Sequence, residues 1–187
     1  MQITLKKTLI AGVGLLAALF FFLIAIVPVS RTIPGIGTIS GSIMGVLSGD
    51  KASLDMVASQ IKVESLSDVA GYKEAVEALT SAYKFFAVFA IILFALSACA
   101  CIGAFFMKTP KGSRALTIPF LVIDIIFSIV VMVFAILLAA STELTVKGST
   151  ISVGGPIIMW IVGIAMFIGM LISSGVVKEV VFVGKKN

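Results

Sequence analysis

Apolar residues are gathered into four runs with almost no charge, at residues 8–29, 85–107, 115–140 and 156–177. Each run is long enough for a helix that crosses about 30 Å of hydrocarbon. The first run follows Lys6 and Lys7, but it is longer than the apolar core of a signal peptide, usually about 7–15 residues. The pattern therefore predicts an all-α, polytopic membrane protein. It would be a four-transmembrane-helix bundle whose first helix, within residues 1–29, is not cleaved.

Basic residues divide the connections between these runs into two sides. Lysine and arginine dominate the N-terminus, the short connection 108–114 and the tail 178–187, where Glu179 is the single acid. Basic segments favour the cytoplasmic side of a membrane. Both termini are therefore predicted to be cytoplasmic. The long segment 30–84 and the short loop 141–155 would then lie outside the cytoplasm.

The uncharged stretch 33–49 of the outer segment has glycine at every fourth position. In a helix these glycines would form one stripe that another helix can approach closely. The stretch is short for a span, so a re-entrant or interfacial helix is predicted, with a flexible Gly/Ser loop as the alternative. The glycines concerned are Gly37, Gly41, Gly45 and Gly49.

Two further helices are predicted in the outer segment. Residues 53–63 have the spacing of a short amphipathic helix with Ser53 as its N-cap. Residues 67–84 carry an a/d heptad seam that continues into the second span as a stalk. The seam needs a partner, which is either the 53–63 helix folded back on it or another subunit. Its residues are Val69, Tyr72, Val76, Leu79 and Tyr83.

Asp124 is the only acidic residue inside a predicted span. An ionisable group at that depth costs several kcal/mol unless it is paired, protonated or hydrated, so it marks a candidate site. Its predicted neighbours include Ser97, Cys99 and Cys101 on the antiparallel second helix. Asp124 is either a proton or cation site or a structural polar contact between helices.

Composition narrows the function classes. The chain is 60% hydrophobic and 12% charged, and it contains no histidine. No imidazole base or histidine-ligated metal is available, and a single intramembrane carboxylate does not make an aspartyl protease. We therefore predict a protein that is not an enzyme. We expect no cofactor and no metal, because Cys99 and Cys101 lie in a span and are interpreted as compact apolar residues.

The net charge of +5 is attributed to membrane topology and contact with anionic lipids, so no nucleic-acid partner is predicted. Asn187 is the only asparagine, so the chain has no glycosylation sequon. Because both cysteines fall in a span, no outer disulfide is available either. These features favour a bacterial or archaeal cytoplasmic membrane, with the lipid bilayer as the first partner.

Four spans with the large connection between the first two resemble the claudin-type arrangement. The resemblance is one of topology, since this connection lacks that family's Trp and paired Cys, and no residue role follows from it. The leading functional hypothesis is a membrane subunit or scaffold. It would associate with other membrane or surface proteins, or with further copies as a homo-oligomer, through its outer helical segment and small-residue faces. The alternative is a small oligomeric channel or transporter component that uses Asp124.

Overall fold

A computed structural model describes residues 4–61, 69–140 and 149–176. The helices are α1 (Leu5–Ile26), α2 (Ile43–Ser48), α3 (Lys51–Ala58), α4 (Val69–Phe106), α5 (Pro110–Ala139) and α6 (Gly154–Val176). The strands are β1 (Val29–Ile33), β2 (Gly37–Gly41) and β3 (Thr150–Ser152). Predictions that fall on residues 62–68, on 141–148 of the outer loop and on the tail 178–187 lie outside the described residues.

Among the described residues, four helices are long and apolar enough to cross a membrane, namely α1, α4, α5 and α6. The prediction of four spanning helices is confirmed, and their length and composition indicate a multi-pass membrane protein. α5 begins at Pro110, inside the connection 108–114. Proline suits a first helical position, because the N–H that it lacks has no intrahelical acceptor there. α4 is one helix of 38 residues.

The chain forms two compact units. The first, which we call the bundle unit, consists of Met1–Phe22, Ile91–Ser128 and Met159–Asn187. The second, the sheet unit, consists of Leu23–Ala90 and Ile129–Ile158.

Each unit has its own buried apolar side chains. In the bundle unit, Ile10, Leu121 and Met170 are fully buried. In the same unit the rings of Phe22 and Phe94 stack with centroids 4.8 Å apart. In the sheet unit, the fully buried side chains include Val29, Ile43, Met56, Tyr83 and Leu138.

A three-stranded antiparallel sheet in the order β2-β1-β3 replaces part of the predicted all-α outer segment. β1 and β2 are joined by a tight turn in which Ile36 N donates to Ile33 O at 3.1 Å. Pro34 and Gly35 occupy the centre of this turn, and Gly35 has a φ of +81°. These features match a type II turn, which needs glycine or asparagine at its third position.

The glycine stripe predicted for residues 33–49 is wrong, because the four glycines do not share one helix. Gly37 and Gly41 lie at the two ends of β2, and Gly45 lies in α2. Gly49 ends α2 with a φ of +78°, a conformation that favours glycine. The tight turn at Pro34 and Gly35 pairs residues 37–41 with β1, and the distant strand β3 pairs with the other edge of β1, so this context overrides the helical spacing of the glycines.

α3 begins earlier than predicted. Its N-cap is Asp50, not Ser53, and the Asp50 carboxylate accepts hydrogen bonds from both the N–H and the hydroxyl of Ser53. These bonds, the one from the hydroxyl foremost, hold the pKa of Asp50 below its ordinary value of 3.8. Asp50 directly follows the last residue of the α2 cap, so the two short helices meet at a sharp corner.

Candidate functional site

One face of α5 in the bundle unit is lined by buried polar side chains. Ser113, Thr117, Asp124 and Ser128 are each at most 5% exposed. They are separated by four, seven and four positions, which places them on one side of a helix. Leu121, also fully buried, completes this side between Thr117 and Asp124. We call these five residues the polar face of α5.

Asp124 lies at the middle of the polar face, 5% exposed. Ser97 and Cys101, both on α4, are neighbours of its carboxyl group. Ser97 is 1% exposed, and among the described residues neither its Oγ nor Asp124 Oδ2 has a hydrogen-bond partner with acceptable geometry. Cys99, the third neighbour considered from the sequence, is exposed.

Thr117 lies where four helices of the bundle unit, α1, α4, α5 and α6, approach closely. A Cβ built on Gly14 of α1 would be 3.1 Å from Thr117 Cγ2, 3.2 Å from Cys101 Sγ and 3.3 Å from Met170 Sδ. Glycine at position 14 therefore allows α1 to approach these side chains. Thr117 is fully buried, and its Oγ1 has no hydrogen-bond partner among the described residues.

The other end of the polar face is fully hydrogen-bonded. Ser128 Oγ donates to Ile125 O at 2.7 Å and accepts a hydrogen bond from Trp160 Nε1 of α6 at 3.1 Å. A buried serine with both a donor and an acceptor partner is a stable structural contact. At the start of the face Ser113 Oγ donates to Ala104 O at 2.7 Å, so the polar-face atoms without partners among the described residues are Thr117 Oγ1 and Asp124 Oδ2.

Sequence reasoning identified Asp124 but missed Thr117 and Ser128. Both carry hydroxyl groups that are common in spans, because serine and threonine can bond to their own helix. Their spacing from Asp124 was the available signal. Steps of seven and four positions are enough to assign all three residues to one face of a helix.

A buried carboxyl without a cationic partner has limited chemistry. Removing an isolated ionised carboxylate from water is costly, so such groups pair or take up a proton. α1 carries no charged residue after Lys7, and α6 carries none at all. A proton needs no cavity, and it makes one carboxyl oxygen a donor that a hydroxyl such as Ser97 Oγ accepts. The site is therefore suited to binding a proton.

The heptad seam finds partners within the sheet unit. Tyr72 donates its hydroxyl to Ala58 O at 3.4 Å, at the end of α3. Tyr83 is fully buried, donates to Phe134 O at 3.3 Å and bonds with Gln60. Val76 and Leu79 are half-buried, and the side chain of Val69 lies outside the described residues. These contacts match the alternative in which residues 53–63 fold back on the stalk.

Arg31 on β1 is a second buried charged group, 2% exposed, in the sheet unit. Its Nη2 donates to Ser59 Oγ at 3.3 Å, at the end of α3, where the helix dipole favours a cation. Its Nε and Nη1 have no partner among the residues that the structure describes.

Comparisons with models of known protein families, with curated proteins and with solved structures found no match to this chain.

Proposed function

We propose that this protein is a non-enzymatic, multi-pass membrane subunit that binds and releases a proton at Asp124, as a component of a small channel or transporter. The observation that carries the proposal is the burial of Asp124, which is 5% exposed and whose Oδ2 has no hydrogen-bond partner among the described residues. Ionisable residues at membrane depth typically mark ion pathways and proton relays.

The surroundings of Asp124 favour a proton over a soft metal ion. Cys101 and Met170 are the sulfur ligands near this part of the bundle unit, and each lies against Gly14. No group of three or more Cys, Asp or Glu side chains suited to a metal ion occurs within the described ranges. A carboxyl beside one serine hydroxyl and one thiol does not provide the set of soft ligands that such an ion needs, and a proton satisfies the carboxyl without added volume.

The test is the titration of Asp124 in purified protein reconstituted in liposomes. Infrared difference spectra between acid and neutral pH should contain a carboxyl C=O band that Asp124→Asn removes, because asparagine keeps the size but cannot ionise. Proton flux driven by a pH gradient, followed with an entrapped pH dye, should fall in the same variant and recover in Asp124→Glu. Gel filtration should show equal assembly.

Two outcomes would overturn the proposal. One is an unchanged infrared difference spectrum in Asp124→Asn. The other is proton flux that the substitution leaves intact, or that is absent from the wild-type protein. Ser128→Ala serves as the matched control, because it alters a hydrogen-bonded residue on the same face without removing an ionisable group.

Association with other membrane proteins or further copies is the second candidate function, and one observation favours it. α6 is the least buried of the four spanning helices, with 17% of its apolar window buried. Ala165 and Gly169 are exposed one turn apart, and no described atom outside their own helix lies within 4 Å of a Cβ built on Gly169. Small residues let helices approach closely in lipid.

We further propose a bacterial or archaeal cytoplasmic membrane as the location, with both termini in the cytoplasm. Support comes from Lys6 and Lys7, from Lys108, Lys111 and Arg114, and from the lysines that follow α6. Under this orientation the polar face of α5 begins at the cytoplasmic side, and the sheet unit contains the outer connections.

A further inference from the structure

The buried polar atoms that lack partners in the bundle unit are unevenly distributed about Asp124. Among the described residues of this unit, those on α5 are Arg114 Nε, Thr117 Oγ1 and Asp124 Oδ2. Ser97 Oγ lies beside Asp124, and Thr4 Oγ1 lies just before α1. Beyond Asp124, toward the end of α5, Ser128 is fully hydrogen-bonded. Among the described residues of α5, the unpartnered atoms therefore lie between Arg114 and Asp124, and none lies beyond Asp124.

Such a series of atoms indicates internal water. Buried polar groups in proteins are nearly always hydrogen-bonded, to protein atoms or to ordered water. A buried water typically makes about three hydrogen bonds to polar groups that would otherwise be unsatisfied. From Arg114 to Asp124 the helix rises about 15 Å at roughly 1.5 Å per residue, which a short file of waters can cover.

We propose that ordered water enters the bundle unit at the end where α5 begins, beside Arg114, and delivers protons to Asp124 past Thr117. The far end, sealed by Ser128 and Trp160, stays dry. This inference rests on the proposed proton site and adds its access side. Leu121, fully buried between Thr117 and Asp124, is the apolar side chain that the route has to pass.

Radiolytic footprinting of the wild-type protein tests the route directly. X-rays convert bound water into hydroxyl radicals, which oxidise adjacent methionine sulfur. Met170 Sδ and Thr117 Cγ2 both lie within 3.3 Å of the same point, the Cβ position built on Gly14. Met56 of the sheet unit is the matched control, because both methionines are fully buried, with 0% exposure.

We expect Met170 to be oxidised about tenfold faster than Met56, because the proposed water route passes the Thr117 side chain near Met170, whereas Met56 lies in the other unit. Thr117→Val keeps the shape of the side chain and removes its hydroxyl, so it should reduce the oxidation of Met170 to the level of Met56. It should also slow the infrared response of Asp124 to a pH jump. Equally slow oxidation of both methionines, or no effect of Thr117→Val, overturns the route.

The test of the water route can be distinguished from the test of proton binding at Asp124. Footprinting detects water whether or not Asp124 titrates, and the infrared band of Asp124 reports titration whether or not water lies at Thr117. Fast oxidation of Met170 without an infrared band from Asp124 would contradict the proposed function. An infrared band from Asp124 without fast oxidation of Met170 would contradict only the water route.

Discussion

Ser53 shows how one small side chain organises a corner of the sheet unit. Its Oγ accepts a hydrogen bond from Ser42 N at 3.1 Å and donates to Asp50 Oδ2 at 2.8 Å. Gly41 and Gly45 lie against it, so closely that a Cβ on Gly45 would collide with Ser53 Oγ. These glycines therefore serve the packing of the chain on itself.

At the residue scale, Gly45→Ala should lower the free energy of unfolding of the sheet unit by about 1–3 kcal/mol, the usual cost of overpacking. Hydrogen exchange of the α2 and α3 amides would measure it. Gly71→Ala is the control, because a Cβ there has open space and alanine is the better helix former by up to about 1 kcal/mol. Unchanged exchange in Gly45→Ala would contradict the described packing.

Among the short elements, α2 and α3 depend on their caps. α2 has six residues, and the hydroxyl of Ser42 caps it by accepting a hydrogen bond from Gly45 N at 2.9 Å. Helices this short are marginal alone, so capping and packing decide whether they form. β1 pairs with its hairpin neighbour β2 on one edge and with β3, which is distant in sequence, on the other.

At the element scale, the stability of α3 should depend on acid pH through Asp50. Because the folded state holds the pKa of Asp50 below 3.8, its contribution is fully present above that value and is lost as pH falls through the lower folded-state pKa. Asp50→Asn keeps a capping side chain but should remove this dependence. Hydrogen exchange of α3, corrected for the intrinsic effect of pH, would measure it.

The control for that experiment is Asp55→Asn, which removes a charge from the exposed side of the same helix. An equal pH dependence in wild-type protein and in Asp50→Asn would show that the Asp50 cap does not titrate with folding. The wild-type curve should bend only in strongly acidic solution, because the pKa of Asp50 is lowered and not raised.

Considered as a whole molecule, the chain separates its polar groups by unit. The bundle unit holds the polar face of α5 with Asp124, and the sheet unit holds Arg31 and the glycine-lined corner at Ser53. α6 leaves large apolar side chains uncovered, including Ile158, Ile161 and Ile172, each more than 50% exposed. Lipid covers such side chains in a monomer, and another helix can cover them in a complex.

At this scale, Gly169→Leu tests association. Leucine there would block close approach of a second helix without disturbing the chain itself, since its Cβ position is open. We expect a smaller complex by light scattering in mild detergent. Gly12→Leu on α1 is the matched control, because that site is equally open and exposed. If the complexes of Gly169→Leu and Gly12→Leu have equal sizes, α6 is not the docking face.

The sequence alone determined the four apolar helices and identified Asp124 as the only acidic residue in a predicted span, because long uncharged runs and a lone acid within one can be recognised without knowing their neighbours. It also placed a helix near residues 53–63, although α3 is shifted toward Asp50. The heptad spacing of Tyr72 and Tyr83 indicated a partner, and left open which one.

Only the tertiary structure decided how residues 33–49 fold and what surrounds Asp124. The glycine spacing is compatible with a helix or a strand, and the sheet in which β1 pairs with both β2 and the distant β3 decided for a hairpin. Helix packing brings Ser97 of α4 beside Asp124 of α5. It also brings Met170 of α6 close to Thr117 of α5. Such neighbours depend on rotation and register between helices, which local spacing does not encode.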